Sequence, residues 1–175
     1  YVNIGYGIGS AIVLDGRVYE RSSEFGHCFV TEKKGRCDCG KEGCLEAHAS
    51  GHAIAKEAAL RLDTGKRPLE AVDVARMASE GSNEARAILR EAGECLGRAI
   101  SFASNLYNPD RIVLGGGVSG AGDLILKPLL DEYRLRVMTI IGDSTMVGLS
   151  SLGADAGIMG AVALGLQGFV FNGGE

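Results

Sequence analysis

At 175 residues and 18.3 kDa the chain has room for one domain with a sizeable core and is too short for two ordinary ones. Eighteen Lys and Arg against 22 Asp and Glu leave a net charge of −4, which argues against a basic nucleic-acid surface within these residues. With 46% hydrophobic and 23% charged residues the composition is globular, and its 27 glycines follow no period that would make a collagen or a repeat array.

In chain order, the first 20 residues carry strand signals. Val2 and Ile4 alternate with polar neighbours, Ala11 to Leu14 is a short apolar run, Asp15-Gly16 is a hairpin turn pair, and Val18-Tyr19 starts the return strand. From 21 to 45 the chain is charged, rich in Gly and Cys, and without periodicity, so something other than a core must hold this loop. Helical spacing begins near Glu46, with Ala47, Ile54, Ala58 and Leu62 on one face, and breaks at residues 64–68. A short helix is expected from Glu70 to Ser79, with Glu80-Gly81-Ser82 as break and cap. The strongest helix runs from Asn83 to Leu106, where Ala85, Ile88, Leu89, Ala92, Leu96, Ala99, Ile100 and Ala103 form one stripe.

Asn108-Pro109-Asp110 ends that helix, and Arg111 to Leu114 reads as a buried strand entering Gly115-Gly116-Gly117. A helical stretch follows, which Pro128 restarts or kinks. Val137 to Ile141 and Met146 to Leu149 are expected as strands, and a Gly- and Ala-rich helix from Ala154 to Leu166 suits close packing against a neighbour. Strands first and then alternating helices and strands predict an α/β domain. The longest apolar stretch, Gly157 to Leu166, is far short of the ~18 residues of a membrane span. With no signal-peptide pattern either, the expectation is a cytoplasmic chain with no membrane partner. It begins without Met on a strand-like run, and is expected to be a fragment or half-molecule of something longer.

The sharpest chemical signal is His27, Cys37, Cys39 and Cys44. Zinc takes four N and S ligands tetrahedrally, and short Cys spacings with intervening glycines let a loop wrap one ion. The competing reading is a disulfide or buried thiols, but Cys37 and Cys39 are too close to bridge comfortably. Cys28 and Cys95 are left over, Cys95 as a core residue of the long helix. Gly5, Gly7 and Gly9 lie at a turn between strands, where bare backbone N–H groups can approach a phosphate, though hairpins also use glycine. Gly115, Gly116 and Gly117 have the placement of a nucleotide-binding turn, or of a packing turn. Glu24, His27 and Glu46 stand at the edges of the Cys-rich loop, and carboxylates with an imidazole suit a polyhydroxylated ligand. Glu24 can equally be a solvated loop charge, and Glu46 an acidic first helical turn. His48 and His52, at i, i+4 on one predicted helix, read as surface residues.

Glu24-Phe25-Gly26-His27, the run from Cys37 to Glu46, Leu114 to Ser119, and Ser150 to Gly157 with Gly160-Ala161 resemble, in order and across essentially the whole chain, the ROK family of repressors, open reading frames and sugar kinases. The resemblance implies the C-terminal lobe, residues 1–175, of a two-lobed actin-like (ribonuclease H-like) α/β fold: a mixed sheet flanked by helices, with a zinc-stabilised sugar loop at 21–46. It implies a structural zinc on His27, Cys37, Cys39 and Cys44, sugar contacts from Glu24, His27 and Glu46, a second phosphate loop at Gly5 to Gly9, and an adenosine side at Gly115 to Gly117. The family kinases carry a first phosphate loop and a catalytic Asp upstream, so no residue here is expected to be catalytic. Tyr6 stands where they usually place Thr, Ser10-Ala11 where they continue with glycines, and the loop before Glu24 is short and lacks its usual glycine.

Two functions follow from the resemblance. One is the sugar- or sugar-phosphate-binding lobe of a sugar-responsive transcriptional regulator, touching DNA only through an upstream domain. The other is the C-terminal lobe of a hexose or N-acetylhexosamine kinase, using ATP and Mg²⁺ in the full-length parent. Both imply contact with an N-terminal lobe and a homo-oligomer. Tyr6 favours the regulator.

Overall fold

A computed structural model describes residues 1–166 apart from 22, 34, 64, 66 and 67. Three residues of the expected break at 64–68 therefore lie outside the described residues. Strands β1 (Val2–Ile4) and β2 (Ile8–Ser10) form an antiparallel pair in which Ile4 faces Ile8. β1 also pairs in parallel with β5 (Arg111–Gly115), and β5 with β6 (Met146–Leu149), giving a mixed sheet of order β2-β1-β5-β6. The apolar run after β2 bends away into a small hairpin, β3 (Val13–Leu14) and β4 (Arg17–Val18), turned by Asp15 and Gly16 at positive φ.

Helix α4 (Asn83–Tyr107) is the spine of the core. The Ser82 hydroxyl caps it by accepting the Ala85 N–H, and Asn108 in the left-handed region closes it. Its predicted stripe is the face that is buried, with Leu89, Leu96 and Ile100 fully shielded from solvent in one cluster with Leu114 of β5 and Leu129. α5 (Asp123–Arg136) lies along α4 and continues as one helix across Pro128, which packs against Gly93. α3 (Ala71–Ser79) follows the expected range, opened by Asp73, whose carboxylate accepts the Glu70 N–H.

Three local expectations are corrected. Helical spacing from Glu46 resolves into α1 (Glu46–Ala49) and α2 (Gly51–Arg61), because Ser50 leaves the helical region and caps α2 through the Ala53 N–H. Val137 to Ile141 is no strand: Val137 closes α5, the Met138 N–H donates to Asn105, and Thr139–Ser144 form α6. The sheet takes Met146–Leu149, not this segment, as the partner of β5. The last helix, α7, starts at Ala156 after a 3₁₀ turn, and none of its residues is buried. Among the described residues no helix is long and apolar enough to cross a membrane.

The α4–α5 contact makes a direct prediction. A methyl on Gly97 would lie 2.5 Å from the Leu129 carbonyl oxygen and 2.9 Å from Glu132 Cβ, both on α5. Gly97→Ala is expected to lower the urea midpoint by the equivalent of about 1–3 kcal/mol. An unchanged midpoint would show that α5 is free to move outward.

Candidate sugar and metal site

The loop between β4 and α1 has little regular structure, yet its backbone is tied into a folded ribbon. The Val30 N–H donates to the Gly43 carbonyl at 2.8 Å and the Leu45 N–H to the Cys28 carbonyl at 2.9 Å. At the tip, the Cys37 N–H donates to Lys41 and the Gly40 N–H returns to Cys37. Gly43 has φ +76° beneath the Phe29 ring, a turn that a β-carbon would block twice over. The ribbon docks on the helices through Lys33, whose ammonium meets Glu91 of α4 at 2.7 Å. Both partners are partly exposed, so this ion pair orients the loop more than it stabilises it.

This folding brings His27, Cys37, Cys39 and Cys44 together, with one ligand atom from each and all four within 4.8 Å of one another. His27 Nδ1 lies 3.5 Å from Cys37 Sγ, and Cys39 Sγ lies 3.6 Å from Cys44 Sγ. A tetrahedral zinc with Zn–S near 2.3 Å and Zn–N near 2.0 Å separates its ligands by roughly 3.5–3.8 Å, so the residues fit such an ion. No two of the five cysteines are joined in the structure. Burial, and then its sulfur neighbours, push the Cys44 thiol up to about 12, whereas the Lys41 backbone N–H lowers Cys39. A bound cation would relieve the charge penalty that holds Cys44 protonated.

Immediately after Cys44, the fully buried Leu45 anchors the start of α1 and sets Glu46 beneath the Gly5 to Gly9 turn. One oxygen of Glu46 accepts the Ile8 N–H at 2.8 Å and passes so close to Gly7 that a methyl there would stand 2.6 Å from it. The 3₁₀ turn Phe25–His27 presses in from the other side, with Gly26 against the Ile8 carbonyl and Glu46 Cβ. His27 turns Nδ1 to Cys37 and Nε2 toward the Glu24 carboxylate, 3.9 Å away. The structure thus brings His27 and Glu46 to one strip, while Glu24 projects into solvent at its rim.

The two glycine turns meet at the start of α2. The Gly51 N–H donates to the Gly5 carbonyl at 2.8 Å, the His52 N–H donates to Tyr6 at 3.2 Å, and Gly51 also packs on Val118. Gly115 pairs beside Asn3, Gly116 at φ +87° is pressed against the Ile4 backbone, and Gly117 faces open space. Gly116 is therefore a packing glycine, whereas Gly117 leaves its surroundings accessible.

Sequence reasoning missed the junction of α1 and α2. His48 and His52 belong to different helices: His52 stacks on Tyr6 with ring centroids 4.9 Å apart, and His48 is half-buried. Burial pushes the His48 imidazole below its ordinary pKa, and its Nε2 has no hydrogen-bond partner among the described residues. The Ser50-Gly51 pair was the available signal, a cap residue followed by glycine inside a helical pattern. Beside Glu46 lies a cavity of about 60 Å³ lined by Tyr6, Arg36, His52 and Lys56 among others. A cleft of about 810 Å³ between the sheet and the end of α4, lined by Ile12, Phe25, Tyr107 and Met146, shares no residue with it.

A family model described as "ROK family" matches residues 1–167. The chain belongs to the ROK family. Over 91% of its length it is 35% identical to a glucokinase of Halalkalibacterium halodurans, and over 98% it is 29% identical to the Escherichia coli DNA-binding transcriptional repressor Mlc. It covers 53% and 44% of these two proteins, so it spans about half the length of its curated relatives. A Streptomyces griseus ROK family glucokinase in complex with glucose and AMPPNP superposes with a TM-score of 0.81 at 27% identity, over 93% of this chain and 58% of that one. A ROK family transcriptional regulator homologous to E. coli Mlc gives 0.75 at 30% identity, over 83% and 40%. These relatives carry the actin-like fold expected from the resemblance, and they include both kinases and repressors.

Three thiolates and an imidazole are a donor set that suits zinc. Elemental analysis of the purified protein is expected to find one zinc per chain, with an X-ray absorption spectrum of three sulfurs and one nitrogen. Cys39→Ser is expected to lose the ion. A metal-free wild-type protein, or oxygen-rich coordination, would contradict the site.

Proposed function

We propose that the chain is the sugar-binding, zinc-containing C-terminal lobe of a ROK-family sugar-responsive transcriptional regulator. Zinc on His27, Cys37, Cys39 and Cys44 is structural, and it presents Glu24, His27 and Glu46 to the hydroxyls of a sugar or sugar phosphate. In such a lobe the carboxylates accept from hydroxyl groups, and His27 is held by its own metal bond on one side and by Glu24 on the other.

The observation that carries the regulator reading is the state of the Gly5 to Gly9 turn. A phosphate loop works by offering unused N–H groups. Here the Gly5 N–H donates to Gly7 at 2.9 Å, the Ile8 N–H is taken by Glu46, and the Tyr6 ring, not a short hydroxyl side chain, rises from the turn to stack on His52. A carboxylate already holds the Ile8 N–H and an aromatic ring rises from the turn, so fewer unused N–H groups are left for a phosphate. In this reading the sugar acts by binding two arrangements of the protein with different affinity, and DNA is touched by an upstream domain. The acidic net charge of −4 accords with that division.

α7 supports the expected contact with an N-terminal lobe of the same protein, because Ile158, Met159, Val162 and Leu164 are all exposed along it. Homo-oligomerisation belongs to the same proposal, as does a cytoplasmic setting, where reduced thiols remain available to zinc.

A second reading, the C-terminal lobe of an ATP- and Mg²⁺-dependent sugar kinase, is favoured by the 35% identity to a glucokinase. In that case Gly5, Gly7, Gly9, Gly115, Gly116 and Gly117 would line the nucleotide and an upstream Asp would act as base. The full-length protein with Mg·ATP and a panel of hexoses and N-acetylhexosamines is expected to bind one of these sugars saturably by calorimetry without releasing ADP. Sugar-dependent ADP release would overturn the regulator reading in favour of the kinase.

A further inference from the structure

The sugar strip and the glycine turn are treated as separate functional parts by the reading above, yet they share one side chain. Glu46 lies 38 residues from Ile8 in sequence, and its carboxylate accepts the Ile8 N–H at 2.8 Å. Gly7 makes this possible by having no β-carbon, since a methyl there would meet the same oxygen at 2.6 Å. The turn is gripped at two more points from the same segment, through Gly51 to the Gly5 carbonyl and His52 to the Tyr6 carbonyl. β1 and β2 extend directly from its two ends, and β1 is the strand that pairs with β5.

We propose that the Glu46–Ile8 hydrogen bond is the contact through which sugar occupancy reaches the Gly5 to Gly9 turn and the β1–β2 pair. This rests on the sugar-binding reading and names the element that reads out the sugar. A carboxylate has two oxygens and about four acceptor positions. The oxygen bonded to Ile8 fixes the side chain, and the other is left for a sugar hydroxyl. A sugar that draws on Glu46 shifts or strengthens its hold on Ile8, and linkage requires that anything fixing the turn alters sugar affinity to the same degree. Gly7 is then a positioning residue for the sugar although it lies in the turn.

The test uses Gly7→Ala, whose added methyl displaces the Glu46 carboxylate without removing it. Gly7 does not have positive φ, so the backbone accepts alanine. Gly148→Ala, at an open position in β6, is the control. With glucose as probe, Gly7→Ala is expected to weaken binding at least about tenfold, the scale of a lost hydrogen bond to a charged group, while Gly148→Ala binds as wild type does. In ¹H–¹⁵N spectra of the wild-type protein, glucose is expected to move the amide signals of Ile8 and Gly9 together with those of Glu24, His27 and Glu46. In sugar-free Gly7→Ala the Ile8 amide is expected to lose the downfield position of a carboxylate-bonded N–H.

Wild-type glucose affinity in a folded Gly7→Ala protein, or glucose shifts confined to Glu24, His27 and Glu46, would overturn the coupling and leave sugar binding intact. An Ile8 amide unchanged in sugar-free Gly7→Ala would overturn the contact itself. No response in the wild-type spectrum to glucose or to any other sugar of the panel would instead remove the sugar-binding reading, and the inference with it.

Discussion

Everything that makes this lobe more than a packed α/β core hangs on the convergence of three sulfurs and one imidazole nitrogen within 4.8 Å. The segment from 21 to 45 contributes few side chains to the core, chiefly Val30, Cys37, Cys44 and Leu45. Hydrophobic burial of that size cannot repay the conformational entropy of ordering some two dozen residues. The ligand cluster lies at both ends of the ribbon, His27 at its start and Cys44 at its close. One tetrahedral ion would therefore lock the 3₁₀ turn carrying Glu24 to the helix start carrying Glu46. That closure would set the carboxylates and the imidazole beside the glycine turn.

The core and the cluster differ in how directly residue order exposes them. The α4 stripe repeats a local period over about five turns, and the buried face is the one that period marks. The four ligands are equally visible, because few residue types bind zinc and their spacing within one loop is short. Expectation failed where a distant partner decides. Thr139 to Ile141 has the composition of a strand, but the preceding Met138 N–H is taken by Asn105, 33 residues away, and the segment turns into α6. The Glu46–Ile8 bond joins residues 38 apart through a side chain and a backbone amide, neither of which has a sequence signature. The Tyr6–His52 stack is likewise a product of the turn being drawn onto α2.

The relatives that share this scaffold include both kinases and repressors, and under the proposed function the glycine turn is where the two uses would part. A turn whose amides are free offers a phosphate site. Here the Gly5 and Ile8 amides are taken by Gly7 and Glu46 and the turn carries an aromatic ring, which on the proposed reading makes it a mechanical connection between a ligand strip and the sheet. A metal held by His27, Cys37, Cys39 and Cys44 would suit either use, since it would act by positioning Glu46.

The most direct test of this account is hydrogen exchange of the zinc-loaded protein against the same protein after chelation. Exchange is expected to accelerate at residues 24–46 and at the Ile8 amide, while the amides of α4 and α5 keep their protection. Unchanged exchange through the loop would show that the ribbon holds itself without the ligand cluster. Loss of protection throughout α4 would show that the metal supports the whole domain and not the site.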